Sequence, residues 1–111
     1  MLPLFTSRVR VEWADWLCNP DRMARVAFPG VDRTWNLPVA DKSVPAWEAF
    51  TRIMARHQYL FREGAGGTYN CRHTNHDPTK PMSLHSNGVC VDLNPSKNPQ
   101  GTKTTDMPKA F

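Results

Sequence analysis

Apolar side chains recur at three- and four-residue spacing through residues 43–63, the most regular pattern in the chain. This spacing places them on one face of a helix, which we expect to support the core. Ser43 can cap the helix, Pro45 stands in its first turn, and Gly64 can end it in a left-handed conformation. The residues on the apolar face are Trp47, Phe50, Ile53, Met54, His57, Leu60 and Phe61.

The preceding residues have shorter patterns. Apolar positions in residues 11–28 are interrupted by Asn19-Pro20, and a residue before proline avoids the helical region, so two short helical pieces with a turn between them are predicted. Residues 34–37 alternate polar and apolar side chains, which indicates a short edge strand that Pro38 ends.

The second half of the chain is rich in turn residues and predicts short strands. Residues 68–72 have the pattern of one strand, and residues 82–85 and 89–93 that of two more. The Asn87-Gly88 pair between the last two is a strong hairpin signal. A hinge or a tight turn is expected at Gly66-Gly67. The predicted fold class is α+β, with helices packed on a small antiparallel sheet.

A length of 111 residues is typical of a single domain, so residues 1–111 are expected to form one. Within it, residues 1–42 are interpreted as an N-terminal extension of helices and loop, and residues 43–111 as the core that carries the chemistry. Hydrophobic residues make up 40% of the chain, and four Trp and five Phe provide large core side chains.

The net charge of +4 and isoelectric point near 9.3 indicate a weak attraction to polyanions. The Lys and Arg residues form no run of five, so nucleic acid is not an expected partner. No stretch approaches the roughly 18 apolar residues of a membrane span, and the apolar residues 1–5 are too few for a signal peptide. We therefore expect synthesis in the cytoplasm without a signal peptide.

Three cysteines stand in the sequence, and an odd count is not a disulfide framework. No CxxC pair exists, which argues against a thiolate zinc finger. Cys71 and Cys90 flank the motif described next. Two free thiols are favoured there over a Cys71–Cys90 bridge.

His85 and Asp92 stand on the two strands of the predicted hairpin. Side chains on one face of paired strands lie about 5 Å apart, or roughly 7–8 Å on a diagonal. Two ligands of one zinc ion each lie about 2 Å from it, so an imidazole and a carboxylate on one hairpin face meet that need. The pair is therefore compatible with a metal site, although a His and an Asp at this spacing more often have a structural role when no other motif accompanies them.

Residues 83–92 read Ser-Leu-His-Ser-Asn-Gly-Val-Cys-Val-Asp, and Asn94-Pro95 follows. This motif, together with the Tyr-Asn-Cys-Arg stretch of residues 69–72, resembles the zinc D-alanyl-D-alanine carboxypeptidase family. That family includes VanY-type carboxypeptidases, VanX-type dipeptidases and phage L-alanyl-D-glutamate endolysins, and it shares its fold with the Hedgehog signalling domain. The resemblance covers roughly residues 44–111.

The resemblance implies a zinc metallopeptidase, with Zn²⁺ as cofactor, that cuts peptidoglycan stem peptides at the bacterial cell wall in phage lysis or wall remodelling. His85 and Asp92 would bind zinc, and Arg72 would stabilise the oxyanion. Ser83 would hydrogen-bond the substrate or orient the site, although a local backbone bond explains it equally well. Cys90 stands where the family usually has alanine.

The chain departs from the family pattern in one respect. The family has a third zinc ligand, a His near the C-terminus, with an Asp or Glu three residues before it as general base, but no His follows His85. Three explanations are open: the chain is a piece of a longer enzyme, it is a short form that is inactive or binds another chain, or His73 or His76 supplies the ligand. The rival function is a cell-wall or partner-binding module on the same scaffold.

Overall fold

The computed structural model describes residues 8–62, 67–99, 101 and 104–109. Two strands, β1 (Met23–Pro29) and β2 (Thr34–Ala40), form an antiparallel sheet, and one helix, α1 (Val44–Arg56), follows them. Residues 8–12 are helical as well. Short 3₁₀ turns lie at Ala14–Trp16, Pro20–Arg22, Asp41–Ser43, Thr74–His76 and Leu84–Asn87. The described part of the chain is therefore a mixed α and β structure with a small antiparallel sheet, as predicted.

The first half differs from the prediction because β1 replaces the second helical piece expected in residues 11–28. Val26 and Phe28 are buried while Arg25 and Ala27 are exposed, which is the two-residue period of a strand. The expected edge strand is present, but β2 continues through Pro38 to Ala40. A two-stranded sheet leaves one edge of each strand unpaired, so a proline can lack its N–H there.

Helix α1 begins where the sequence predicts and ends earlier, at Arg56 and not at residue 63. Gln58 takes a left-handed conformation with a φ of 54°. Its N–H donates to Ala55 at 3.1 Å, and the N–H of Tyr59 donates to Met54 at 2.9 Å. These two bonds are the Schellman pattern that closes a helix. The chain therefore turns before Gly64 and Gly66, which lie outside the described residues.

At its other end, Ser43 holds the N-cap position of α1 without capping the helix through its side chain. Its hydroxyl donates to the Ala40 carbonyl at 2.7 Å instead. Ile53, which was expected on the buried face, is 40% exposed. The start of α1 is therefore not stabilised by a side-chain cap from Ser43, and its buried face is narrower than predicted.

The core lies between α1 and the sheet. Phe28 packs against Trp47 and Phe61, with ring centroids 6.1 and 5.6 Å apart. Beyond the helix, the N–H of Phe61 donates to Pro29 at 2.9 Å, so residues after α1 return to the sheet. The buried apolar cluster consists of Val26, Phe28, Val39, Met54, Tyr59 and Phe61. The predicted core role of Trp47, Phe50 and Phe61 is thus confirmed, although Phe61 lies beyond the end of α1.

The second half contains no strand ladder among residues 67–99, so the strands predicted at 68–72, 82–85 and 89–93 are absent. Only an isolated bridge joins His73 to Met82. Leu84–Asn87 is a 3₁₀ turn that ends at Gly88, whose φ is 71°. The Asn-Gly pair therefore forms the left-handed end of a helical turn and not a hairpin turn. Asn87 is buried there, and its amide donates to the Trp13 carbonyl at 2.9 Å.

A disulfide joins Cys18 to Cys71, with a Cα–Cα distance of 5.0 Å, and Cys90 is free. The expectation for Cys71, either a free thiol or a bridge to Cys90, is therefore wrong. Sequence spacing hides this pairing because 53 positions separate the two residues. A cross-link that closes a loop of this length contributes about 4 kcal/mol in the chain-entropy account.

In the part of the chain that the structure describes, no helix combines the length and the apolar character needed to cross a bilayer.

Gly88 and Gly101 both have a positive φ, of 71° and 77°, and differ only in their surroundings. A Cβ at Gly88 would lie 2.5 Å from the Met23 sulfur and 2.7 Å from the Ala40 nitrogen, whereas at Gly101 no atom of the described residues beyond its chain neighbours lies within 4 Å. We expect Gly88→Ala to lower the free energy of unfolding by about 3 kcal/mol and Gly101→Ala by about 1 kcal/mol. Urea unfolding of both variants measures the difference, and equal losses would contradict the close packing.

Candidate metal centre

The four residues singled out by the sequence line one pocket. Arg72, Ser83, His85 and Asp92 surround a cavity of about 430 Å³. The remaining lining residues are Thr74, Asn75, Pro95 and Asn98. The predicted hairpin is absent, yet the side chains that it was meant to bring together do meet.

His85 and Asp92 approach each other directly, with 3.3 Å between His85 Nε2 and Asp92 Oδ1. The other ring nitrogen, Nδ1, lies 2.6 Å from the carbonyl oxygen of Thr68. A carbonyl only accepts, so Nδ1 carries the proton and Nε2 faces the carboxylate. The His85 side chain is 13% exposed, while that of Asp92 is 49% exposed. The ring is therefore held from inside and points toward the pocket.

Residues 67–68 explain why the two side chains converge without a hairpin. The Thr68 carbonyl holds the His85 ring, and the Gly67 carbonyl accepts the N–H of Asp92 at 2.9 Å. Both candidate ligands are thus tied to consecutive peptide units of a third segment. A carbonyl bonded to the far nitrogen of a histidine is also the usual support of a metal-binding imidazole.

The spacing of His85 and Asp92 is compatible with a metal ion bound between them. With Nδ1 protonated, the neutral ring turns the lone pair of Nε2 toward a carboxylate oxygen, and two electron-rich atoms repel at this distance. A proton on Nε2 removes the repulsion, and so does a metal ion. Zinc bonds of about 2.0–2.2 Å at a tetrahedral angle separate two donors by roughly 3.3–3.6 Å. The observed 3.3 Å fits one edge of a zinc tetrahedron.

The described residues supply two such donors and no more. No group of three His, Cys, Asp or Glu side chains within residues 8–62, 67–99, 101 and 104–109 is placed to hold a metal ion. His73 Nδ1 bonds the Lys80 carbonyl at 2.8 Å, and His76 is exposed on the neighbouring turn. The structure therefore brings neither His73 nor His76 to the pair, contrary to the third explanation.

The backbone of Arg72 is held by hydrogen bonds, and the residue lines the pocket. Its N–H donates to Ser86 Oγ at 3.0 Å, and its carbonyl accepts the N–H of Ser83 at 2.8 Å. The guanidinium makes a long bond of 3.3 Å to the His73 carbonyl. Among the ion pairs of the described residues, none involves Arg72. Its charge is therefore available to an anionic group in the pocket.

Ser83 has a local role in this structure. Its side chain is buried, and its Oγ accepts the N–H of His85 at 3.3 Å as the cap of the Leu84–Asn87 turn. This bond agrees with the interpretation of Ser83 as a residue that hydrogen-bonds the local backbone. A contact of Ser83 with substrate stays a prediction.

Two residues that support the site were missed from the sequence. Ser86 is fully buried, and its hydroxyl lies 2.9 and 3.1 Å from the carbonyls of Arg72 and Asn70. Asn94 is also buried, with its amide bonded to the Leu60 carbonyl and its side-chain oxygen to the Arg62 N–H, both at 2.9 Å. The only signal for Asn94 was its place in the Asn-Pro tail, and Ser86 had none.

Cys90 stands beside the site as a half-buried free thiol. Its burial, and next the charge of Asp92, raise the pKa of this thiol above its usual range. The thiol therefore stays protonated at neutral pH and behaves as a small apolar side chain.

Comparison of the chain with protein-family models, with curated proteins and with solved structures finds no match. The resemblance to zinc D-alanyl-D-alanine carboxypeptidases stays a prediction from the motif. The chemistry of the site is accordingly argued from its geometry.

Ser86→Ala should lower the free energy of unfolding by about 2 kcal/mol, because the buried N–H and carbonyl of Arg72 lose their shared partner. Thr104→Ala removes an exposed hydroxyl and should stay within about 0.5 kcal/mol of the parent chain. Chemical unfolding of the two variants side by side makes the measurement. Similar stability of both would mean that water replaces the Ser86 bonds.

Proposed function

We propose that this protein is a zinc-dependent peptidase that hydrolyses peptide bonds of bacterial peptidoglycan stem peptides, as a D,D-carboxypeptidase or an endolysin-type endopeptidase. The observation that carries the proposal is the spacing of His85 Nε2 and Asp92 Oδ1, with the other ring nitrogen bonded to the Thr68 carbonyl. Arg72 lines the same pocket. Its setting would be phage lysis or wall remodelling.

His85 and Asp92 would hold the zinc ion. When bound, zinc supplies Lewis acidity and a water molecule whose pKa is lowered to about 7. The ionised carboxylate of Asp92 offsets part of the metal charge, and the Thr68 carbonyl keeps the His85 ring in the tautomer that leaves Nε2 free. Among the described residues, no third His, Cys, Asp or Glu side chain is placed to bind the metal, and we assign no general base.

Arg72 would act on the substrate and not on the metal. A guanidinium that faces the pocket stabilises negative charge as it develops on a carbonyl oxygen during attack. Its backbone is bonded at both the N–H and the carbonyl, which fixes the position from which the side chain extends. The net charge of +4 adds a long-range attraction toward an anionic wall.

A second candidate function is a cell-wall or partner-binding module that does not cut. The observation in its favour is that two donors, and no third, meet among the described residues. A two-donor site binds zinc weakly compared with the three or four protein ligands of catalytic and structural sites. The same pocket, with its guanidinium and amide side chains, would then hold a wall peptide through its carboxylates.

Purified peptidoglycan incubated with the protein and added Zn²⁺ separates the two functions. The peptidase releases new free amino and carboxyl groups, which analysis of the soluble muropeptides detects. The binding module sediments with the insoluble wall and leaves the muropeptide pattern unchanged. Absence of both cleavage and wall binding would refute the peptidase and the wall-binding form of the module.

His85→Ala and Asp92→Ala should each raise the dissociation constant for Zn²⁺ by more than about 100-fold, since losing a ligand exceeds the loss of a supporting residue. His76→Asn is the matched control, because His76 is exposed and asparagine tolerates its φ of 57°. Equilibrium dialysis with metal analysis measures all three variants. Unchanged zinc affinity in His85→Ala would remove the metal site.

Arg72→Ala should keep zinc affinity and lower the rate of wall-peptide hydrolysis by about 100-fold or more, as expected for a group that stabilises the developing charge. Arg52→Ala, an exposed change on α1, is the control and should hydrolyse at the parent rate. Parallel zinc titration and muropeptide assays give the two readouts. A full rate in Arg72→Ala would exclude the oxyanion role.

A further inference from the structure

The Cys18–Cys71 disulfide lies against the candidate site on two sides. Cys71 directly precedes Arg72 in the chain. Cys18 donates its N–H to the Ser86 carbonyl at 2.8 Å, one residue after His85. The disulfide therefore ties the stretch that carries Arg72 to Cys18, whose backbone is hydrogen-bonded to the stretch that carries His85, and the zinc-peptidase chemistry uses neither sulfur.

The surroundings of this disulfide make it important for local order. Residues 67–99 contain only 3₁₀ turns and one isolated bridge, so no ladder of hydrogen bonds holds them together. The position of Arg72 depends on a few bonds to Ser83 and Ser86 and on the adjacent cross-link. By contrast, β1, β2 and α1 share a buried core that does not involve either cysteine. Local structure with few bonds opens more readily than such a core.

The disulfide is also accessible. Cys71 is exposed and Cys18 is half-buried. Thiol–disulfide exchange requires an approach to one sulfur, and exposure favours attack at Cys71.

We propose that Cys18–Cys71 is a thiol–disulfide exchange site, and that its oxidised state holds Arg72 and the Leu84–Asn87 turn in the arrangement of the candidate metal centre. Reduction by a dithiol leaves the β1, β2 and α1 core folded and loosens the site.

The exchange is balanced in two steps. A thiolate of the dithiol attacks the Cys71 sulfur, forms a mixed disulfide and expels Cys18 as a thiolate, which takes up a proton. The second sulfur of the reductant, as a thiolate, then attacks the reductant's first sulfur in the mixed disulfide. This step releases Cys71 as a thiolate, which takes up a proton. Two electrons pass to the protein, and the reductant leaves as a disulfide. Oxidation by a disulfide-bearing oxidant reverses both steps.

The consequence for activity rests on the proposed function. Cytoplasmic thiols stay reduced, and disulfides persist in oxidising compartments such as the periplasm and the cell surface. A wall-cutting site that is ordered only when Cys18 and Cys71 are joined would be weak before it leaves the cytoplasm. It would gain activity on the side of the membrane where the wall lies.

The first test reads site order without metal or substrate. Amide NMR spectra of the folded chain are recorded before and after dithiothreitol, with alkylation and mass analysis to count free thiols. We expect the signals of Asn70, Arg72, His85 and Ser86 to shift or broaden on reduction, while those of β1, β2 and α1 stay in place. Unchanged site signals in the reduced protein would overturn the proposal. So would a cross-link that resists reduction until denaturant is added, or a collapse of all signals to random-coil positions.

Matched variants separate the disulfide from the third cysteine. Cys90→Ala leaves the bridge intact and should give the same redox response as the parent chain. The double variant Cys18→Ser, Cys71→Ser should show the spectrum of the reduced parent and no response to dithiothreitol. A response that disappears in Cys90→Ala would assign the effect to Cys90 and refute the exchange site.

The second test measures wall-peptide hydrolysis with added Zn²⁺ in the oxidised parent and in the double variant. We expect at least a tenfold lower rate in the variant, because small displacements of positioned groups cost large factors in rate. Equal rates would overturn the functional part. If neither form hydrolyses wall peptides, the proposed function fails, and the NMR result still decides whether the exchange site controls local order.

Discussion

The turn at Leu84–Asn87 is the feature on which the candidate site depends, because separate stretches of the chain hydrogen-bond to it. Ser86 holds residues 70–72 through its hydroxyl and Cys18 through its carbonyl. Asn87 reaches the first part of the chain through its side-chain amide. A buried turn this short satisfies few polar groups internally, so its partners fix its geometry. The orientation of His85 follows from those partners.

The balance of charge in the pocket follows from this anchoring. The Thr68 carbonyl takes one nitrogen of His85, which leaves the other nitrogen facing the Asp92 carboxylate. Because an imidazole lone pair and a carboxylate oxygen repel at this distance, the pair is suited to binding a cation between the two side chains. Arg72 lines the same pocket. The pocket therefore contains both the carboxylate of Asp92 and the positively charged guanidinium of Arg72. This combination suits chemistry at a carbonyl group.

The two halves of the chain have different structural roles. The β1–β2 hairpin and α1 bury an aromatic and aliphatic core, and they provide the stable part of the molecule. The site lies on irregular segments, which is common because loops can place side chains in arrangements that regular elements do not allow. Such segments need anchors, and here these are buried Ser86 and Asn94 and the Cys18–Cys71 cross-link.

The sequence by itself determined the start of α1, its apolar face, the α+β class and the four residues that share the pocket. Local periodicity carries the information on the helix, since it depends on near neighbours, while Arg72 and Ser83 were implied by the resemblance of the motif. Only the tertiary structure decided that α1 ends at a left-handed Gln58, that Asn87-Gly88 closes a helical turn, and that Cys18 pairs with Cys71. It also decided that residues 67–68 bring His85 and Asp92 together. Each of these depends on contacts between distant segments, and such contacts are set by burial and by the pairing of buried polar groups, which a local pattern does not contain.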